Sequence, residues 1–128
     1  MNSGRVQTWE LVSGLSAAAE ARRHVADACA ELPEDTVYTA RLLVTELVSN
    51  AVLHGQGQVV LTVAREQSGV RVEVHDDSAR LPTVTDGPAL AEHGAGLRLV
   101  AALASSWGSS PRGGGRPGKR VWFTLQGR

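Results

Sequence analysis

Glu46-Leu47-Val48-Ser49-Asn50-Ala51-Val52-Leu53-His54-Gly55 closes a run that otherwise has the pattern of a buried helix. At about 100° per residue, Ala40, Leu43, Val44, Leu47, Val48, Ala51 and Val52 fill one broad apolar arc. Glu46 and Asn50 stand one helical turn apart at the edge of that arc, with His54 a turn further on. A carboxylate and an amide carbonyl lined up beside a core can hold a water or a cation against a ligand. They can equally be the polar border of an ordinary amphipathic helix. The rest of the chain has to decide between these two.

The chain has 128 residues, enough for a single domain with one sizeable core. Thirteen basic residues balance thirteen acidic ones, and no Lys/Arg stripe forms, so direct nucleic-acid binding is not expected. Three Trp, one Tyr and one Phe are too few for a platform on which single strands stack. The single cysteine, Cys29, cannot form an intramolecular disulfide or a cysteine zinc cage and is expected to pack as a small hydrophobe. No apolar run reaches membrane-spanning length and Met1-Asn2-Ser3-Gly4-Arg5 is polar, so a cytoplasmic protein with no membrane association is expected.

Working outward, Val6 to Val12 is expected as a first strand, followed by an Ala-rich helix from about Ala17 to Ala30. Pro33 and Glu34 suit the first turn of the next helix, which runs to about Leu53 and stops near Gly55 and Gly57. Val59 to Ala64 and Val70 to Val74 form two strands of a hairpin turning near Ser68-Gly69. In the second, Val70, Val72 and Val74 alternate with Arg71, Glu73 and His75. Asp76 to His93 has loop character, Leu97 to about Ser105 forms a third helix, and Val121 to Leu125 a closing strand. These elements predict an α/β fold of a single domain, residues 1–128. Its form is a two-layer sandwich, a mixed, mostly antiparallel sheet covered on one face by helices.

Two more local features fall in order after the Glu46/Asn50 helix. Asp76 ends a strand, where aspartate is ordinarily a turn residue. Asp76-Asp77 also invites a reading as a carboxylate pair or metal site, but neighbours on an extended segment point apart. Gly94-Ala95-Gly96 leads into a helix and offers backbone N–H groups and a favourable dipole to an anion. On its own it is equally a helix-entry turn.

Together these segments resemble the GHKL (Bergerat-fold) ATPase superfamily, and within it the small anti-sigma-factor serine kinases and their relatives. Glu46 to Gly55 is similar to the N box, and Val72-Glu73-Val74-His75-Asp76-Asp77-Ser78-Ala79-Arg80-Leu81-Pro82 to the first glycine box. His93-Gly94-Ala95-Gly96-Leu97-Arg98-Leu99-Val100 is similar to the second glycine box. Trp107-Gly108 and Gly118-Lys119-Arg120-Val121-Trp122-Phe123 match the C-terminal pattern. The resemblance implies a histidine-kinase-like ATPase fold and the cofactors ATP and Mg²⁺. Asn50 would hold the metal, Glu46 would act as the catalytic base, and Asp76 would accept a hydrogen bond from adenine N6–H. Gly94, Gly96 and Leu97 would surround the phosphates. His54 would approach the phosphates or cap its helix, and Lys119 is expected to be a solvated hairpin charge. Implied partners are an anti-sigma-factor antagonist, a sigma factor, or both, with a possible homodimer. Trp9, on the first strand, would offer an exposed pairing surface or fold onto its own sheet.

The chain departs from the pattern in three places. Ser78 and Arg80 stand where the first box usually has glycines, and Arg120 where a small hydroxyl residue is common on the adenine side. Two readings therefore stand side by side: an ATP-dependent serine/threonine protein kinase, and a non-catalytic Bergerat-fold binding module with weak or no nucleotide binding. A sensor histidine kinase fragment fits less well, because the chain holds no phosphoacceptor helix pair.

Overall fold

The computed structural model describes residues 5–12, 14–54, 57–78 and 95–127. Its order is β1 (Val6–Glu10), α1 (Ser16–Ala28), α2 (Glu34–His54), β2 (Val60–Glu66), β3 (Gly69–Asp76), α3 (Ala95–Leu103), β4 (Ser106–Pro111) and β5 (Lys119–Gln126). The strands form one sheet in the order β1-β2-β3-β5-β4. All four pairings are antiparallel, which makes the sheet more regular than the mixed one expected. Strand β4 was not expected; it pairs along the outer side of β5, from Ser106↔Thr124 to Pro111↔Lys119.

Alternation along the strands sorts side chains between two environments. Leu61 and Val63 of β2, Val70, Val72 and Val74 of β3, and Val121, Phe123 and Leu125 of β5 are buried. They pack in one core with Ala40, Leu43, Val44, Leu47, Val48 and Ala51 of α2 and with Leu97 and Val100 of α3. The apolar arc drawn from the sequence is therefore the stripe that α2 lays on the sheet, with Val52 only partly buried at its margin. Glu34 and Asp35 occupy the first turn of α2, directly after Pro33, where negative charge complements the helix dipole.

Helix α1 lies against α2 and reaches β2. The backbone N–H of Val12 donates to Glu20 Oε1 at 2.8 Å, tying the exit of β1 to α1. That bond is the main reason the Glu20 carboxyl sits below its ordinary range; His24 and Arg23 also favour its charged form, against a counteracting burial. Trp9 is half-buried and stacks on His24, with ring centroids 4.3 Å apart and planes 11° apart. Trp9 therefore folds onto helix α1 of its own domain, where the expectation had placed it either exposed for pairing or on its own sheet. Cys29, at the end of α1, is fully buried, and burial pushes its thiol up to about 11 despite the nearby positive charge of Arg65.

Candidate functional site

Glu46 and Asn50 project from the border of the α2 stripe, each half-buried. Among the described residues neither side chain has a hydrogen bond or ion pair. That sets Glu46 apart from Glu20, Glu73 and Asp76, the other carboxylates among the described residues that are at least partly buried. Glu20 accepts from Val12 and contacts His24, Glu73 accepts from Arg71, Asp76 pairs with Lys119, and Asp77 pairs with Arg112. Partly buried polar groups are normally satisfied, so a carboxylate and an amide left open one turn apart form a place for an external group. Among the described residues no three or more His, Cys, Asp or Glu side chains gather to hold a metal ion.

Asp76 continues the phase of Val70, Val72 and Val74, so it ends β3 pointing into the helix-covered side and is only 2% exposed. Lys119, directly opposite it in the β3–β5 register, is 6% exposed. Its Nζ donates to both Asp76 oxygens, at 3.0 and 2.8 Å. The expectation of a solvated hairpin charge is thus overturned, because Lys119 is in phase with Val121, Phe123 and Leu125. The backbone N–H of Ser78 adds a third bond, to Asp76 Oδ1 at 2.7 Å. A carboxylate has about four acceptor positions, and among the described residues three are taken, leaving one on Oδ2.

Gly118 makes this arrangement possible. Its φ of +106° lies in the left-handed region, and a Cβ there would run into the backbone oxygen of Asp76. Glycine lets the β4–β5 connection press against the end of β3 and delivers Lys119 to the carboxylate. Asp77 points away from Asp76 and is exposed at its side chain. It accepts from Arg112 Nη1 at 2.9 Å and from the Gln58 N–H at 3.3 Å. The adjacent aspartates are therefore not a carboxylate pair.

Helix α3 begins at Ala95, earlier than the sequence suggested, so that Gly96 lies in its first turn and Leu97 is buried beneath it. Gly94, His93, Arg80 and Pro82 lie outside the described residues, as does the side chain of His54. Arg120 is out of phase with Lys119. It sits on the opposite face of the sheet, where its Nε donates to Ser110 Oγ at 3.0 Å. It therefore neither enters the helix-covered side nor stands beside Asp76. Lys119 and Gly118 are the residues against Asp76 that sequence reasoning passed over, and the alternation of β5 carried the signal for Lys119.

Helices packed over one face of an antiparallel sheet, with an acidic strand end and a glycine-bearing helix start on that side, define a histidine-kinase-like ATPase domain. Residues 11–125 match the sequence profile of the histidine kinase-like ATPase domain, and the chain belongs to that family. In fold it is similar to the histidine kinase AdeS of Acinetobacter baumannii, with a TM-score of 0.51 and 11% sequence identity over 97% of this chain and 69% of that one. No curated protein sequence matches the chain.

Proposed function

We propose that the chain binds ATP with Mg²⁺ between α2, the end of β3 and the start of α3. We further propose that it works as a serine/threonine protein kinase on an anti-sigma-factor antagonist, or by sequestering a sigma factor, in the cytoplasm. The observation that carries the ATP reading is the Glu46–Asn50 pair on α2, unpartnered among the described residues, within a chain of the histidine kinase-like ATPase family. Asn50 would hold Mg²⁺ through its side-chain oxygen; the ion, when bound, neutralises charge on the transferring phosphoryl group. Glu46 would orient the acceptor hydroxyl and take its proton. Asp76 Oδ2 would accept a donor from the base, held in place by Lys119 and the Ser78 N–H. Gly96 would let the α3 N-terminus approach the phosphates without a side chain between them. Among the described residues, no helix is long and apolar enough to cross a membrane.

The second reading, a binding module with weak or no nucleotide affinity, draws its support from the Asp76–Lys119 pair, which already takes most of the acceptor capacity of Asp76. Calorimetry with ATP and Mg²⁺, followed by radiolabelled transfer to candidate antagonist proteins, separates the two. Glu46→Gln should leave ATP affinity within a few-fold of the parent and lower phosphate transfer by about 10²-fold or more. Asn50→Ala should weaken ATP mainly when Mg²⁺ is present. A parent that binds ATP yet labels no antagonist leaves the module standing, and a parent that shows no heat with ATP removes the kinase.

A further inference from the structure

The face of the sheet turned away from the helices carries a second candidate site, independent of the nucleotide reading. A cavity of about 460 Å³ opens there, over β1, β2 and β3 and under the β4–β5 connection. That volume is in the range of small-molecule pockets. Arg112, Arg116 and Arg120 line it, against a single carboxylate from Glu10. The clustering is local, since the chain as a whole has no net charge.

The donors of these arginines are far from used up. Arg112 gives Nη1 to Asp77 and to the Pro117 carbonyl, which fixes its stem, and Arg120 gives Nε to Ser110. Arg116 is exposed and has no side-chain hydrogen bond or ion pair among the described residues. A guanidinium has five N–H donors in a planar fork that matches phosphate oxygens. Thr8 and Thr62, whose hydroxyl oxygens are 3.2 Å apart, and Glu10 supply neutral and accepting groups on the opposite wall.

From this geometry we propose that the open sheet face binds a small phosphate-bearing molecule. Its phosphoryl group is held by Arg112, Arg116 and Arg120, and its hydroxyl groups by Thr8, Thr62 and Glu10. His75 joins them on the cavity wall. Along its own strand it meets Glu73, at 3.1 Å, and across β5 it meets Arg120. The β4–β5 connection brings Arg112 and Arg116 to it, β1 brings Glu10, and β2 presents the apolar Val60. Burial holds the His75 imidazole below its ordinary range; Glu73 opposes this, and Arg112 and Arg120 reinforce it. A bound phosphate favours the imidazolium, so binding should raise the His75 pKa.

The test is an amide and imidazole NMR titration of the whole chain with inorganic pyrophosphate, in EDTA and without Mg²⁺, with glucose 6-phosphate and a hexaglutamate peptide as parallel arms. Both phosphate compounds should shift Thr8, Thr62, His75 and Arg120, raise the pKa of His75, and do so equally in Asn50→Ala. Arg116→Ala, an exposed change that leaves the fold intact, should weaken this binding about tenfold or more, while Arg23→Ala on α1 should not. Shifts confined to α2 and α3, a response to hexaglutamate alone, or open-face shifts that follow protein concentration and ignore pyrophosphate would each overturn the proposal.

Discussion

The two faces of the sheet share the same strands, yet they handle charge in opposite ways. On the helix side the paired charges of Asp76 and Lys119 are almost wholly excluded from water. On the open side Arg71 lies over the Trp122 ring, 4.1 Å from its centroid, and bonds Glu73 at 2.7 Å, while Glu73 also meets His75. Those groups keep contact with solvent. The buried pair fixes the strand ends in one geometry, because neither charge has water to fall back on. The open-face network is cheap to rearrange and so can exchange partners with a ligand.

The largest effect should come from breaking the buried pair. Lys119→Met leaves the Asp76 carboxylate without its counter-charge and should cost about 3–5 kcal/mol in urea unfolding. Glu73→Gln, which breaks ion pairs on the open face, should cost about 1 kcal/mol or less. Equal losses from the two variants would show that water access is not what separates the faces. Asp76→Asn strands Lys119 in the same way, so any loss of ATP binding in that variant must be read beside its unfolding curve.

Gly118→Ala should come next. It forces a left-handed backbone on a residue with a Cβ, aimed at the Asp76 backbone, and should cost about 1–3 kcal/mol in thermal melts. Gly113→Ala in the same connection meets nothing within 4 Å and should stay within about 0.5 kcal/mol of the parent.

The smallest effect is on pH dependence and belongs to the open face. His75 titrates lower in the folded chain than its ordinary 6.5, so the unfolded chain takes up the proton first. Stability should therefore fall as pH drops below about 6.5. For Glu73, burial works against the charged form, but the bond and charge of Arg71, with His75, outweigh it and hold the carboxyl below 4.5. Its contribution is present above that value and lost as pH falls through the folded value. Melts between pH 2 and 8 should decline in two stages on acidification, and His75→Gln should remove the upper one while only reducing the lower, to which Arg71 contributes most. An unchanged upper stage in His75→Gln would remove His75 from the account.

The α2 stripe, the β2–β3 hairpin and the outward phase of Glu73 and His75 were legible because strong periodicity met a single core. Strand β4 was not legible. Ser106-Trp107-Gly108-Ser109-Ser110-Pro111 has almost none of the β-branched alternation of a strand, being an edge whose pairing partner makes it one. Gly108 is there for its neighbour, since a Cβ would press on the Trp122 ring. The place of Asp76 at a strand end was legible, but its partner was hidden by treating Lys119 as hairpin surface. Carrying the phase of Val121, Phe123 and Leu125 back along β5 puts Lys119 inward and sends Arg120 outward. The Glu46–Asn50 spacing could be read directly, because helix geometry alone sets it; that neither side chain has a partner among the described residues could not, since it depends on what the neighbouring elements leave unsatisfied.

Cys29 turns the packing of α1 on α2 into something that can be timed. Its thiol is sealed from solvent and held protonated to about pH 11, so an alkylating reagent finds almost no thiolate in the closed domain. Modification has to wait for the helix layer to lift, when the thiol regains water and its ordinary acidity. The rate of labelling at this one position is a clock for that opening, and a ligand that clamps the helices to the sheet should slow it.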